Sequence, residues 1–254
     1  MGSLLGLLIV GFLIAILIAI TGVGAGIVTA PLLILVLHVP VDIAVGTALA
    51  YSAVVKLVVV PVQMWRRRVV YRVLGFMLLG GVPGVVLGSL VFRHLALHGE
   101  KAILNMGLGA IIVVSSLVNL YRHFGSPGTT STTVDRPFWV STVMFPIGAE
   151  VGFSSAGAGA LGTVALLGLT SLSAAHVVGT DLAFGLCISL LGSGIHMFGG
   201  AYDASLVWKL GVGGVAGAFA GSSIAPRIPS RQLRFVLSVW LLLVGLKFCY
   251  QAGH

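Results

Sequence analysis

Charge is the scarcest property of this sequence. Of its 254 residues, 14 are Lys or Arg and 6 are Asp or Glu, together 8%, where a soluble domain carries roughly a quarter. That is too little charge to coat a water-facing surface, so a soluble fold is excluded. Cysteine is nearly absent too. Cys187 and Cys249 both lie inside apolar runs and read as small buried hydrophobes, so no disulfide, metal site or cofactor is expected. The formal charge of +8 does not point to nucleic acid, because the basic residues form no single patch. They stand in short blocks between apolar runs: Arg66, Arg67 and Arg68 with Arg72, and Arg227, Arg231 and Arg234. Such blocks are topology signals.

What is abundant is apolar sequence. Hydrophobic residues make up 58% of the chain, and the mean hydropathy is +1.14. The runs Leu4–Ile20, Val73–Val91 and Ala102–Leu120 approach the ~20 residues that span a bilayer as a helix. They are continuous rather than alternating, which excludes a strand barrel. The chain reads as an all-α polytopic membrane protein. Met1–Ser3 supplies no basic segment ahead of the first run, so that run is expected to be a mature helix rather than a signal peptide.

The chain also repeats itself. "TGVGAG" aligns with "SSAGAG", Gly24 meeting Gly157 and Gly26 meeting Gly159, an offset of 157 − 24 = 133. Without a gap, Gly46-Thr47 meets Gly179-Thr180, Met64 meets Met197, Gly80-Gly81-Val82 meets Gly213-Gly214-Val215, and Gly88-Ser89 meets Gly221-Ser222. A first membrane repeat over 1–124, a polar linker over 125–136 and a second membrane repeat over 137–254 follow. The strong basic block comes after the second long helix in the first repeat, but one helix later in the second. If both blocks face the cytoplasm, the repeats are inverted, which is a transporter signature. Inversion needs an odd number of crossings per copy. With long helices expected at about 43–65, 72–94 and 100–123, the pieces 3–20 and 27–38 contribute an even number. They form two crossings or a broken or re-entrant helical hairpin, and both termini are expected outside.

The glycine motif sits at that break. Unpaired backbone within a bilayer is tolerated only where it lines a cavity or is buried in protein. The helix after a break offers free N–H groups and a positive dipole end to an anion. Substrate-binding candidates are therefore Thr21, Gly22, Gly24 and Gly26 in the first tip, and Ser154, Ser155, Gly157 and Gly159 in the second, with Thr29 and Thr163 as further hydroxyls. The tips are expected to face each other across the pseudo-twofold axis. The glycines of 75–88 and 211–221 lie in uninterrupted apolar runs and are read as helix-packing residues.

A second constellation is "AVGTALAYSAVVK" against "VVGTDLAFGLCIS". It adds Thr47 and Thr180 to the candidates. It also shows departures between the copies: Asp181 for Ala48, Lys56 for Ser189, and His196 for Gln63. Ionisable residues inside a membrane are functional candidates by default. Lys56 is the expected positive charge for an anion, or else half of a Lys56–Asp181 pair that holds the copies together. Asp181, Glu150 and His196 are proton or coupling candidates. His176 is expected at the interface, and Asp42 as the N-cap of its helix.

This ordered set resembles the TauE/SafE sulfite exporter family, also called the toluenesulfonate uptake permease family. It comprises a glycine-rich tip and a Pro-containing segment, then "AVGT", then the same set again with "VGTD" and a later "GSGIH". The resemblance runs over about 3–250. It implies secondary transport of a small sulfur-containing or organic anion of the sulfite, sulfonate, sulfoacetate or thiosulfate class, in a bacterial or archaeal inner membrane. Relatives with "VGTD" often carry an acidic residue in the first half as well. Here that position is Ala48, which argues against a symmetric two-carboxylate mechanism. The expected partners are the substrate anion, the bilayer and a coupling ion, H⁺ or Na⁺, and an oligomer is compatible with the small-residue faces. Two other classes stay open: a cation/proton exchanger built on Asp181 and Glu150, and an intramembrane serine hydrolase using Ser154 or Ser155 with His176 or His196.

Overall fold

The computed structural model describes residues 4–21, 25–124, 137–155, 159, 161–224 and 230–252. Those residues form ten helices and no strand. The first repeat holds α1 (Leu4–Thr21), α2 (Ala25–Leu35), α3 (Val41–Trp65), α4 (Tyr71–Leu97) and α5 (Lys101–Phe124). The second holds α6 (Pro137–Ser154), α7 (Leu161–Leu169), α8 (Ala174–Phe198), α9 (Ala204–Ile224) and α10 (Ser230–Ala252). The expected linker lies outside the described residues. The offset of 133 carries α1 onto α6 and α3 onto α8 end to end, since 4 + 133 = 137, 21 + 133 = 154, 41 + 133 = 174 and 65 + 133 = 198. One expectation is corrected at the start of α3: its N-cap is Pro40, and Asp42 makes no capping bond. Asp42 lies inside the first turn, where its charge complements the helix dipole.

Among the described residues, five helices are long and apolar enough to cross a membrane: α3, α4, α5 over Lys101–Tyr121, α8 and α9. Leu79, Leu87, Leu90, Phe219 and Leu243 are exposed on them and on α10, as expected of side chains that face lipid rather than water. Their backbones satisfy themselves within each helix, as a bilayer requires.

Glycine decides which helices meet. A methyl placed at Gly213, Gly217 or Gly221 of α9 would run into Leu8, then Phe12, then Ala19 and Ile16 of α1. The same stripe on α4, at Gly80, Gly84 and Gly88, would run into Ser141, Phe145 and Ala149 of α6. Each repeat thus lends its first helix to the other repeat's fourth, with backbones closer than any side chain permits. Both sets of contacts advance in the same direction along the two partners, so α1 runs parallel to α9 and α6 parallel to α4.

The central pair behaves differently. Leu49 of α3 lies against Gly192 of α8, and Lys56 reaches back to Gly185, so these equivalent helices run antiparallel. Copies of one helix side by side and head to tail are the arrangement that inverted repeats require. Asp203, just before α9, hydrogen-bonds Thr47 near the start of α3. Val70, just before α4, does the same with Thr180 near the start of α8. Hence α3 is parallel to α9, and therefore to α1. The chain has to return between α1 and α3, and α2 makes that return. With 11 residues it is about 16 Å long, half the ~30 Å hydrocarbon thickness. The α1–α2 and α6–α7 units are helical hairpins with a short second arm, which supplies the even count that inversion demands.

The packing role of the glycines separates two neighbours on α4. Gly84→Ala should lower the detergent-solubilised protein's stability by about 1–3 kcal/mol, because a backbone-to-backbone contact has to open. Nothing lies near the Cβ position of Gly75, so Gly75→Ala should be neutral or add up to about 1 kcal/mol of helix preference. Thermal denaturation of both variants checks this, and equal destabilisation would remove the packing argument.

Candidate functional site

The two inverted copies cross at α3 and α8, and polar side chains meet there. Lys56 is 4% exposed. Its Nζ donates to the Gly185 carbonyl at 3.2 Å and to Ser189 Oγ at 3.1 Å, while Ser189 Oγ also lies 3.2 Å from Ser52 Oγ. Ser52 is the counterpart of Gly185, and Lys56 the counterpart of Ser189. The Lys56–Gly185 and Ser189–Ser52 contacts therefore exchange under the pseudo-twofold operation, and the axis passes between them. The ammonium beside that axis has no charged counterpart, since Ser189 stands at the equivalent position.

A second departure from symmetry is Asp181, one helical turn before Gly185. It is 4% exposed and lies on the same helix as the carbonyl that Lys56 binds. Its Oδ2 accepts from Thr163 Oγ1 at 2.9 Å, and a methyl at Gly162 would collide with the carboxylate. Gly162 and Thr163 belong to the first turn of α7, so a carboxylate rests on the positive end of the helix that follows the second break. The first repeat does this otherwise. Ala48 stands at the equivalent place and joins Ala30 and Leu33 of α2 in an apolar cluster.

The two breaks meet where they are described. A methyl at Gly26, in the first turn of α2, would strike the backbone carbonyl and side chain of Ser155. Ser155 adopts φ = 65°, a left-handed conformation that costs a non-glycine residue about 1–2 kcal/mol. Its counterpart in the first repeat is Gly22. Its Oγ is buried without a hydrogen bond among the described residues, and Gly159 follows at φ = 128°. Ser154 Oγ bonds back to the Glu150 carbonyl at 2.9 Å. Gly22, Gly24, Gly157 and the side chain of Thr21 lie outside the described residues.

Other candidates stand apart from this cluster. Thr47 and Thr180 are both fully buried and accept from backbone N–H groups of the opposite repeat, Asp203 at 3.1 Å and Val70 at 3.0 Å. They are matched anchors for the loops before α9 and α4. Glu150 accepts from Ser115 Oγ of α5 at 2.7 Å. His196 contacts the Gly152 carbonyl at 3.1 Å, and His176 Nδ1 lies 2.7 Å from Ser173 Oγ. Ser52 entered the site without a sequence signal, because its role depends on which helix crosses α3.

A family model described as "Sulfite exporter TauE/SafE" matches residues 7–248. The chain is 28% identical over 251 residues to the "Probable membrane transporter protein YjnA" of Bacillus subtilis (strain 168), a match covering 95% of this chain and 98% of the relative. No solved structure matches.

The anchoring role of the threonines has a direct test. Thr47→Val and Thr180→Val should each cost about 1–3 kcal/mol, the penalty for a buried N–H left unpaired. Thr→Ser at either place should recover most of it in a thermal melt. Full stability in both valine variants would free these hydroxyls for another role.

Proposed function

Because the chain belongs to the Sulfite exporter TauE/SafE family and is a membrane transporter, we propose that its cargo is a small sulfur-containing or organic anion. The class is sulfite, sulfonate, sulfoacetate or thiosulfate. The anion is held between the two breaks near the midplane, and the inverted halves rock around it to give alternating access.

The observation that carries this reading is the placement of Asp181 on the first turn of α7. A helix break can bind an ion through N–H groups or through carbonyls, and the sign of its ligand follows from which it offers. At the second break the protein's own carboxylate takes the N–H end. At the first break Ala48 replaces it, so the positive end of α2 has no acidic side chain of that kind and is left to the substrate. Ser155, which sits against the first turn of α2, adds a hydroxyl, and Lys56 adds positive charge at the crossing. Thr21, Gly22, Gly24, Gly26, Ser154, Gly157 and Gly159 are the further binding candidates, while Thr47 and Thr180 contribute by holding the loops. Asp181 at the crossing, and Glu150 and His196 outside it, are the proton-exchanging groups.

A cation exchanger on Asp181 and Glu150 gains less support, since one carboxylate rests on α7 and the other bonds α5. A hydrolase gains less still: His196 and His176 are committed to the Gly152 carbonyl and to Ser173, not to Ser154 or Ser155. The termini are assigned to the outside, with the Arg66–Arg72 loop in the cytoplasm.

Sulfite or methanesulfonate should raise the thermal midpoint of the purified protein, and a size-matched cation should not, because a ligand stabilises only the state it binds. Lys56→Met should weaken that protection roughly tenfold in concentration or more, the worth of a charge-assisted hydrogen bond. The variant's unliganded midpoint is measured beside it, because removing one member of a buried charged network is destabilising where replacing the whole network is often neutral. Unchanged protection in Lys56→Met, or protection by Na⁺ alone, would overturn the anion assignment.

A further inference from the structure

Beneath the loop joining α8 to α9 lies a cavity of about 120 Å³, roughly the liquid volume of four waters. Asp42 of α3, Ser89 and Arg93 of α4, and His196 at the end of α8 line it. Neither Lys56 nor any described tip residue does. His196 is 2% exposed, with its ring edge-on to Phe92 at a centroid separation of 5.2 Å. Its Nε2 lies 3.1 Å from the Gly152 carbonyl of α6. A carbonyl only accepts, so Nε2 carries the hydrogen, and the neutral ring keeps its lone pair on Nδ1. Ser89 Oγ donates to the same carbonyl at 3.3 Å and helps hold it in place. His196 can therefore take a proton on Nδ1 without giving up its bond to α6.

The charge balance gives that proton a consequence. Arg93 and Asp42 cancel, so the cavity wall is neutral with imidazole and carries one positive charge with imidazolium. Two further carboxylates near the junction are hydrogen-bonded within the protein. Glu150 of α6 accepts from Ser115 on α5, and Asp203 of the loop caps α9 through the Leu206 N–H. Lys56 lies 56 − 42 = 14 positions along α3 from Asp42, about 21 Å as a helix.

Pseudo-symmetry shows that the fold does not need this arrangement. At the equivalent junction on the opposite face, Gln63 stands for His196 and Pro226 for Arg93. The end of α3 is built there with an amide in place of the imidazole.

We propose that this cavity is a second anion site, conditional on a proton: a small oxyanion enters beside Arg93 only when His196 is protonated on Nδ1. The proposal rests on the reading of the chain as an anion transporter. It makes the proton the co-substrate that arrives with the anion on the α8–α9 face.

The imidazole NMR signal of His196, assigned by its loss in His196→Gln, reports on the cavity locally. In nanodisc-embedded protein, methanesulfonate should perturb that signal with an affinity at least about tenfold tighter at about pH 5 than at about pH 8, the range over which imidazole charges. Arg93→Gln, an exposed substitution, should abolish the response. Lys56→Met should keep it, even though that variant loses thermal protection at the central site. Absence of any response in the wild type, an equal affinity at both pH values, or a response intact in Arg93→Gln would overturn the cavity site. So would its disappearance in Lys56→Met, because the signal would then report the central anion. Thermal protection that fails while the His196 response persists would count against the central site alone.

Discussion

An ammonium group buried in a membrane protein has to find oxygen, and the architecture here turns on where Lys56 finds it. Its partners are a carbonyl and a hydroxyl on α8, the helix that is its own helix's copy. Together with Leu49 against Gly192, that contact sets α3 and α8 side by side and antiparallel, as inverted repeats require. It also requires the short arms α2 and α7 to return the chain, and it brings the breaks between the arms of the hairpins together at Gly26 and Ser155. The exchange of α1 and α6 between repeats then ties the halves along their flanks through glycine stripes. The centre is polar and the flanks are close-packed.

Symmetry supplies the scaffold, and its violations supply the chemistry. A symmetric pair of breaks would present two equal positive helix ends. Asp181 occupies the end of α7, and Ala48 leaves that of α2 without such a carboxylate. Ser189 faces Lys56 where a second lysine would repel the first. At the periphery His196 and Arg93 replace Gln63 and Pro226. Each substitution changes charge on one side of the axis only. In a low-dielectric setting such changes outweigh many neutral differences, because ionisable groups there are costly to keep.

Much of this was legible before any coordinates. The gapless offset of 133 is a covalent property of the chain, so the equivalence of α3 with α8 could be read directly, and the apolar runs placed the long helices within a few residues. The glycine stripes announced close packing but not the partner, since a stripe on α4 fits any helix with a complementary ridge. That α6 and not α5 fills it is a matter of tertiary fit. Thr47 and Thr180 read as substrate hydroxyls because their backbone-amide partners sit 156 and 110 residues away in sequence. Asp42 read as an N-cap because Pro40 carries no side-chain signal for capping. The cavity of Arg93 and His196 was half visible, in the histidine alone, because no sequence pattern joins Arg93 to it.

The inverted arrangement is the claim on which the rest stands, and sidedness measures it most directly. Trp65 and Phe198 are equivalent positions at the ends of α3 and α8, 85% and 92% exposed. Trp65→Cys and Phe198→Cys, each made with Cys187 and Cys249 replaced by Ser, can be labelled with a membrane-impermeant maleimide in right-side-out and inside-out vesicles. The account predicts that the two cysteines react from opposite sides of the membrane. Labelling of both from the same side would contradict it.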